Sequence, residues 1–398
     1  MKSCFSALVG LVATVLAISG CGGPSHSSAP HAAASGARSS PSTGPVATTK
    51  TSITPGRSPG GPVPAGTKAT SVTFIAPTSA FLLGTAPCRH PRCSVILRTE
   101  DRGRSWRGLP APLEAVSGFA GNGLWGLRFA DARHGYAYGN GLWETGDGSR
   151  SWHRDAAPAR IVLVLAAVQE RELVAVAAPC LAGQRSCAHR LTLYRRPISS
   201  AVWTTVASTR TSSFEASIAV HGPDVWAVVG TKLYVSIDGG VSFTSQTAPC
   251  RSPGTEHQTA VSDDGPRTYV LCSGVGGAGS IAKYLYRTAG RGSRWTLAGR
   301  PPRGGGEEGL SAGSDRAVMI AAASGASSLY RSADGGRSWK SVLTEDDGGA
   351  GWADLGFTTS TYGVVVHGPA ISDGGNDGRP GQLLLTDDGG RTWHRVGF

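Results

Sequence analysis

The residues of this sequence best suited to ligand chemistry are three acids and a tryptophan: Glu307, Glu308, Trp352 and Asp354. Two carboxylates about 5–10 Å apart can serve as acid and base in the hydrolysis of a glycosidic bond. A tryptophan beside acids can instead form a stacking platform for a sugar or a peptide. The alternative is that all four are solvated residues on the rim of the fold. The pattern supports a hypothesis of ligand binding, and it assigns no catalytic residue.

No motif of enzyme or cofactor chemistry accompanies these residues. The chain contains neither a Gly-x-Ser-x-Gly nucleophile elbow nor a His-Glu-x-x-His metal motif. It also lacks the Cys-x-x-Cys pair that is common in zinc sites. We therefore expect no cofactor and no bound metal ion.

Six cysteines form three pairs that are close in sequence: Cys88 and Cys93, Cys180 and Cys187, and Cys250 and Cys272. Six cysteines allow 15 pairings, and the spacing favours a local disulfide in each pair. Disulfides are typical of compartments outside the cytoplasm. A metal site is the alternative, because His90 lies between Cys88 and Cys93, but no cluster offers four ligands at zinc-site spacing.

The first 20 residues have the features of a bacterial lipoprotein signal peptide. Lys2 precedes an apolar run at 5–18, which is too short to span a bilayer. The run ends in Ile18-Ser19-Gly20-Cys21, which resembles a lipobox, where the cysteine thiol accepts diacylglycerol. An ordinary secretory signal with an incidental cysteine is the alternative. We expect lipid attachment at Cys21 and a location outside the cytoplasm, on the bacterial cell membrane.

Residues 21–68 have the composition of a flexible tether. Of the 47 residues after Cys21, 38 are Gly, Pro, Ser, Thr or Ala, and none is aromatic or acidic. Such a segment cannot bury enough apolar surface to offset the entropy cost of ordering it. We expect it to join the lipid to one folded domain at 69–398.

The composition of the whole chain favours a turn-rich, all-β protein. Gly 57 and Pro 24 are many for 398 residues, and the 40% of hydrophobic residues suffice for a core. The formal net charge is +11, but five of the basic residues lie within 1–68, a stretch that contains no acid, and no long basic run occurs. A nucleic-acid-binding protein concentrates Lys and Arg on one stripe, so we expect no nucleic-acid partner.

An eight-residue motif recurs seven times. Its fullest form is Ser/Thr-x-Asp-Gly-Gly-x-Ser/Thr-Trp, and its acid and final aromatic residue stand at Asp101 and Trp106, Asp147 and Trp152, Asp238 and Phe243, Asp334 and Trp339, and Asp388 and Trp393. Two copies, 196–203 and 288–295, lack the acid. In a tight turn the Asp accepts backbone hydrogen bonds and the following Gly permits positive φ. We therefore expect structural rather than catalytic acids, with the aromatic residue packed between strands.

The spacing of the octets predicts the fold. Their final residues lie about 48 positions apart on average, so seven units fill 69–398. In the second unit, alternating and turn-forming residues predict strands at 124–130, 135–139, 142–145 and 151–154. Units of this length with four strands are typical of propeller blades. The prediction is an all-β, seven-bladed β-propeller of four-stranded blades.

The octets resemble the Asp-box, or bacterial neuraminidase repeat, of sialidases, sortilin-type receptors and xyloglucan hydrolases. The longer unit resembles the propeller repeat of the photosystem II assembly factor, with Phe129, Gly135-Tyr136 and Thr145 to Trp152 in the same order. The resemblance covers 70–398 and implies that the octet lies on an outer turn, away from the channel. Sialidases carry an Arg-Ile-Pro motif before the first box, and this chain has none.

These observations predict a binding or scaffold propeller that recognises a protein or glycan of the cell envelope and acts as a monomer. One alternative is a glycoside hydrolase of the sialidase or xyloglucanase type. Another is an assembly factor for a membrane protein complex, which rests on the resemblance alone. The fold does not select among them, because propellers carry many functions.

Overall fold

The computed structural model describes residues 60–88, 93–118, 122–180, 190–211, 215–250, 256–261, 267–274, 276, 279–289, 294–369 and 379–398, with the backbone alone at 256–261, 289 and 307. The signal segment 1–20, Cys21 and the tether up to residue 59 lie outside these residues. Every regular element of the described part is a β-strand. This part contains no helix that is long and apolar enough to cross a membrane.

The described strands form seven antiparallel sheets, each made of four consecutive strands. Blades 1 to 4 contain β1–β4 (Lys68–Ala76, Ser79–Ala86, Cys93–Thr99, Arg107–Leu109), β5–β8 (Leu124–Phe129, Gly135–Gly139, Gly141–Thr145, His153–Asp155), β9–β12 (Ile161–Val168, Glu172–Ala178, Arg190–Pro197, Thr204–Arg210) and β13–β16 (Ala216–His221, Asp224–Val229, Lys232–Ser236, Thr244–Gln246). Blades 5 to 7 contain β17–β20 (Glu256–Val261, Arg267–Ser273, Lys283–Ala289, Thr296–Gly299), β21–β24 (Gly306–Ala312, Val318–Ala323, Ser327–Ser332, Lys340–Glu345) and β25–β28 (Trp352–Phe357, Gly363–His367, Gln382–Thr386, His394–Arg395).

The innermost strands form a closed ring. In chain order they are β1, β5, β9, β13, β17, β21 and β25, each in contact with the next, and β25 returns to contact β1. The all-β, seven-bladed propeller predicted from the octets is therefore confirmed. Among the described strands, no blade combines strands from the two ends of the chain, so interactions other than a shared sheet close the ring there.

Contacts between blades 7 and 1 supply this closure. The Ala69 amide at the start of β1 donates a hydrogen bond of 2.7 Å to the Gly381 carbonyl, just before β27. Tyr362 of blade 7 packs edge-on against Phe74 of β1, with ring centroids 5.5 Å apart. A cluster of buried aliphatic side chains from both blades fills the same interface.

The strand order gives the propeller two distinct faces. Because successive strands of a blade are antiparallel, each innermost strand begins on the side that carries the connections between blades. We call this side the connector face. Each third strand ends on the opposite side, where the octet leads to the fourth strand, and we call that side the octet face.

The hydrophobic core is divided into seven clusters, one between each pair of neighbouring blades. Successive side chains of a strand point to opposite faces of its sheet, so each blade serves both of its neighbours. In β2, Leu82 packs towards blade 7, whereas Phe81 and Leu83 pack towards blade 2. The near-continuous apolar runs of the second strands follow from this burial on both faces.

The final aromatic residue of every octet packs between blades, not only between strands as the sequence suggested. Trp152 of blade 2 joins the cluster shared with blade 1, and Trp339 of blade 6 joins the cluster shared with blade 5. The other five follow the same rule, each facing the preceding blade: Trp106, Trp203, Phe243, Trp295 and Trp393. This role explains why the two octets without the acid still keep their tryptophan.

The acid of the octet organises its turn. In blade 1, Asp101 accepts hydrogen bonds from the Thr99 hydroxyl at 2.8 Å, the Ser105 amide at 2.9 Å and the Ser105 hydroxyl at 2.5 Å. Asp147, Asp238, Asp334 and Asp388 have the same three types of partner. The hydrogen bonds from Ser105 lower the pKa of Asp101 to about 2. These carboxylates are therefore occupied within their own turns.

Two of the three predicted disulfides lie wholly within the described residues. Cys88 is bonded to Cys93, and Cys250 is bonded to Cys272. Cys180 is also disulfide-bonded, and its predicted partner Cys187 lies outside the described residues. Gly61, which lies before the predicted domain boundary at 69, exchanges two hydrogen bonds of 2.8 and 2.9 Å with Gly108 of β4.

Candidate binding site at the connector face

Several innermost strands contain a β-bulge near their first residues. The bulged positions include Trp125 in β5, Leu163 in β9, Glu308 in β21 and Asp354 in β25. A bulge adds one residue to a strand and re-aims its side chain. The side chains of Glu308 and Asp354, both predicted to bind a ligand, therefore do not follow the regular alternation of side chains along their strands. The sequence carries no clear signal of these bulges.

The Asp354 carboxylate joins three blades. It accepts hydrogen bonds from the Ser71 hydroxyl at 2.5 Å and the Val72 amide at 2.8 Å, both in β1. Its other oxygen pairs with the Arg128 guanidinium of β5 at 2.7 Å. Asp354 adopts a φ of 50°, a region that aspartate tolerates better than most residues. Asp354 is thus engaged in closing the ring between blades 7, 1 and 2.

Ser71 extends this network along the ring. Its hydroxyl oxygen accepts a hydrogen bond of 3.0 Å from the Leu127 amide of β5 while its proton is donated to Asp354. Arg128 also donates to the Leu127 carbonyl at 2.7 Å. Ser71 was not among the predicted site residues, because its partners lie in distant parts of the sequence.

Glu308 has a different environment. One of its oxygens accepts a hydrogen bond of 2.7 Å from the Trp352 amide, which ties blade 6 to blade 7. The residue remains exposed to solvent, and no described residue donates a hydrogen bond to its second oxygen. Burial of the carboxyl raises its pKa to about 7. The hydrogen bond from the Trp352 amide lowers the pKa, but its effect is smaller than that of burial. Glu308 is therefore a fixed, solvent-accessible carboxyl that can exchange its proton near neutral pH.

Trp352 does not form the exposed platform that its position beside the acids suggested. Its side chain is 5% exposed and packs in the core between blades 6 and 7. Its ring lies 4.7 Å from that of His367, whose Nε2 is 2.5 Å from the Asp347 carboxylate. A ligand cannot stack on this indole without displacing core side chains. Trp352 is therefore a core residue and not the stacking platform that the sequence suggested.

Asp347 holds the connection between blades 6 and 7. Burial opposes its ionisation, but hydrogen bonds from His367, Ser327 and the Gly349 amide outweigh burial and lower its pKa. The Ser327 and Gly349 donors lie 3.0 and 2.9 Å from the carboxylate. The arrangement anchors the loop that carries the chain into Trp352.

The described side chains of the predicted site residues do not converge on one site. Glu308 and Trp352 are in contact through a backbone amide, whereas Asp354 is directed towards blades 1 and 2. The side chain of Glu307 lies outside the described part of the structure. Within the described residues, no group of three or more acids, histidines and cysteines could hold a metal ion.

Replacing Glu308 by glutamine is expected to change how stability depends on pH. The carboxyl has a pKa of about 7 in the folded protein and an ordinary pKa of 4.5 in the unfolded chain, so its contribution to stability is present below about pH 4.5 and is lost as the pH rises to 7. Glutamine keeps an acceptor for the Trp352 amide and never ionises. We expect equal melting temperatures at pH 5 and a gain of about 1–3 °C for the variant at pH 8, a small value because the group is exposed.

Calorimetry of both proteins across this pH range provides the measurement, with Glu114→Gln as a control elsewhere on the surface. A constant difference between wild type and Glu308→Gln at every pH would contradict the assigned proton exchange.

The sequence matches no protein-family model and no curated protein. Among solved structures, the chain is similar to YCF48 from Cyanidioschyzon merolae, with 18% identity, coverage of 83% of this chain and 98% of that chain, and a TM-score of 0.52. This likeness shows the propeller fold over the whole length of that protein. It does not extend to function.

Two further solved structures are less similar. The β-propeller domain of the Trilobed protease from Pyrococcus furiosus has 12% identity, with 83% of this chain and 99% of that chain covered and a TM-score of 0.43. The GH74 xyloglucanase from Xanthomonas campestris has 13% identity, with 83% and 73% covered and a TM-score of 0.31. The function of the present chain must therefore be argued from its own residues.

Proposed function

We propose that this protein is a lipid-anchored binding propeller outside the cytoplasm that recognises a protein of the cell envelope through its connector face. The observation that carries the proposal is the difference in hydrogen bonding between the two predicted acids, Asp354 and Glu308. Asp354 has both oxygens engaged by Ser71, Val72 and Arg128, whereas Glu308 presents one oxygen to solvent. A hydrolase needs two cooperating carboxylates, but a binding surface needs only exposed, well-positioned polar groups.

The lipid anchor and the tether complete this proposal. Cys21 would carry the lipid, and the Gly- and Ser-rich segment after it would let the propeller reach roughly 40 Å from the membrane. The resemblance of the octets to Asp-box repeats supports a rigid scaffold with variable loops. Recognition of a glycan and assembly of a membrane protein complex are the alternatives for the same surface.

A second candidate function is hydrolysis of a glycoside. It is favoured by the position of Glu308, whose carboxyl is held by the Trp352 amide and open to solvent. Burial raises the pKa of this carboxyl to about 7, which suits a general acid. The partner acid would have to come from a residue other than Asp354 or from the undescribed side chain of Glu307.

Site-specific photocrosslinking in living cells tests the proposed function. A photoreactive amino acid is placed at Arg303, an exposed position in the connection between blades 5 and 6, or at Arg337, an exposed position in an octet. The control is a lipoprotein with the same signal and tether but no propeller. We expect one protein to be enriched from position 303 and not from position 337. Equal capture by all three proteins would refute the proposal and would favour the second candidate function, hydrolysis of a glycoside.

A further inference from the structure

A depression of about 550 Å³ lies on the connector face at the boundary of blades 2 and 3. The turn at Asn140 and Gly141, between β6 and β7, forms one side. Arg154 of β8 and Arg160, just before β9, also line it, together with two alanines that lie between them in sequence. The volume falls within the range of pockets that hold small ligands or a few residues of a peptide.

The two arginines carry charge that the described residues do not neutralise. Both are exposed, and neither forms an ion pair with a described carboxylate. The acid nearest in sequence, Asp155, also borders the depression, but one of its oxygens lies 2.8 Å from the buried Arg196 guanidinium. Its other oxygen accepts a hydrogen bond of 2.7 Å from the Ala156 amide. Because Asp155 is held by these partners, the depression keeps an excess of positive charge.

The walls of the depression are held by hydrogen bonds from both blades. The Ala156 carbonyl accepts a bond of 2.9 Å from the Trp203 indole of blade 3, which fixes the chain between the two arginines. On the other side, the Asn140 amide donates a bond of 2.9 Å to the Gly123 carbonyl. Gly141 has a φ of 118°, and a Cβ there would lie 3.4 Å from the Arg154 guanidinium. Arg154 and Arg160 are therefore attached to backbone that hydrogen bonds hold in place.

We propose that Arg154 and Arg160 bind a carboxylate group on an acidic segment of a partner polypeptide. A guanidinium can donate two parallel hydrogen bonds to a carboxylate, so two arginines that line one depression can hold one acidic side chain together or two in succession. No aromatic ring is among the described residues that line the depression, so a sugar acid would lack a stacking surface. The inference rests on the proposed function and names the chemistry of the partner.

Binding of a hexa-aspartate peptide to the full-length protein in detergent tests the inference. The variant Arg154→Gln with Arg160→Gln removes two charges from the depression. The control Arg104→Gln with Arg150→Gln removes two charges from exposed octet residues on the opposite face. Calorimetric titration at low and physiological salt is expected to show at least tenfold weaker binding for the first variant and unchanged binding for the control.

The outcomes separate this inference from the proposed function. Equal weakening in both double variants would mean that only net charge matters and would overturn the site. Tighter binding of a glucuronate trisaccharide than of the peptide would overturn the choice of a polypeptide. If cells yield a crosslinked partner that both double variants capture equally, the binding function stands and the arginine site fails. If the titration succeeds while no partner is captured, the site stands and the proposed function fails.

Discussion

Replacing Arg196 by methionine is expected to destabilise the propeller by about 3–5 kcal/mol. The arginine side chain is 1% exposed and pairs with Glu144 and Asp155, each at 2.8 Å. It also lies over the rings of Tyr136 and Trp203, at 5.6 and 5.0 Å from their centroids. Methionine fills much of the volume but leaves two poorly exposed carboxylates facing each other between blades 2 and 3.

Chemical denaturation at pH 8 and pH 5 measures this effect and identifies its cause. Burial, followed by the hydrogen bond with Asp155, already raises the pKa of Glu144 in the wild-type protein. In the variant, protonation at pH 5 should relieve part of the repulsion, so the loss of stability should be smaller there than at pH 8.

The neighbouring Arg195 provides a matched control for this experiment. It lies on the same strand, is 25% exposed, and is 3.6 Å from Glu172, so Arg195→Met should cost about 1 kcal/mol or less. Equal losses for the two variants, or a loss at position 196 that does not change with pH, would refute the role assigned to the buried pairs.

Replacing Asp354 by alanine is expected to cost about 2–4 kcal/mol and to loosen the contact between the last and the first blade. The change leaves the partly buried Arg128 without its carboxylate and the Val72 amide without its acceptor. It also places alanine at a φ of 50°, which a Cβ disfavours. Asp354→Asn should cost less, because asparagine tolerates this conformation and can still accept the bonds from β1.

Hydrogen exchange and thermal unfolding together test the role of Asp354. The Val72 amide should lose protection in the alanine variant, while amides in blades 4 and 5 should change little. The control Asp346→Ala removes an exposed acid from the connection between blades 6 and 7 and should stay within about 0.5 kcal/mol of wild type. A ligand-binding acid would give the opposite result, namely an unchanged melting temperature with lost binding.

The sequence was sufficient to predict the blades because their signals are local. The octet turn is held by hydrogen bonds between residues two to four positions apart, as between Thr99, Asp101 and Ser105. Strand alternation is also local, and strand β6 begins and ends where its pattern predicted. Because each blade contains one octet, the number of octets predicted the number of blades.

The candidate site was predicted only in part. Glu308 is a solvent-facing acid of the connector face, whereas Trp352 lies in the core and the Asp354 carboxylate binds residues of blades 1 and 2. Two bulges, in β21 and β25, decide these orientations. A bulge shifts side chains from one face of a strand to another, and a pattern of alternating residues does not reveal where it falls.

By itself, the sequence determined the octets, the strand pattern, the number of blades and the proximity in sequence of the paired cysteines, because each depends on residues that are near one another in the chain. The tertiary structure alone decided which aromatic residue fills which interface and which acids are left for a partner. Asp354 meets Ser71 and Arg128 across separations of 283 and 226 residues, and Arg196 meets Glu144 across 52. Such pairs come together only when the ring of blades closes, so no local pattern could have named them.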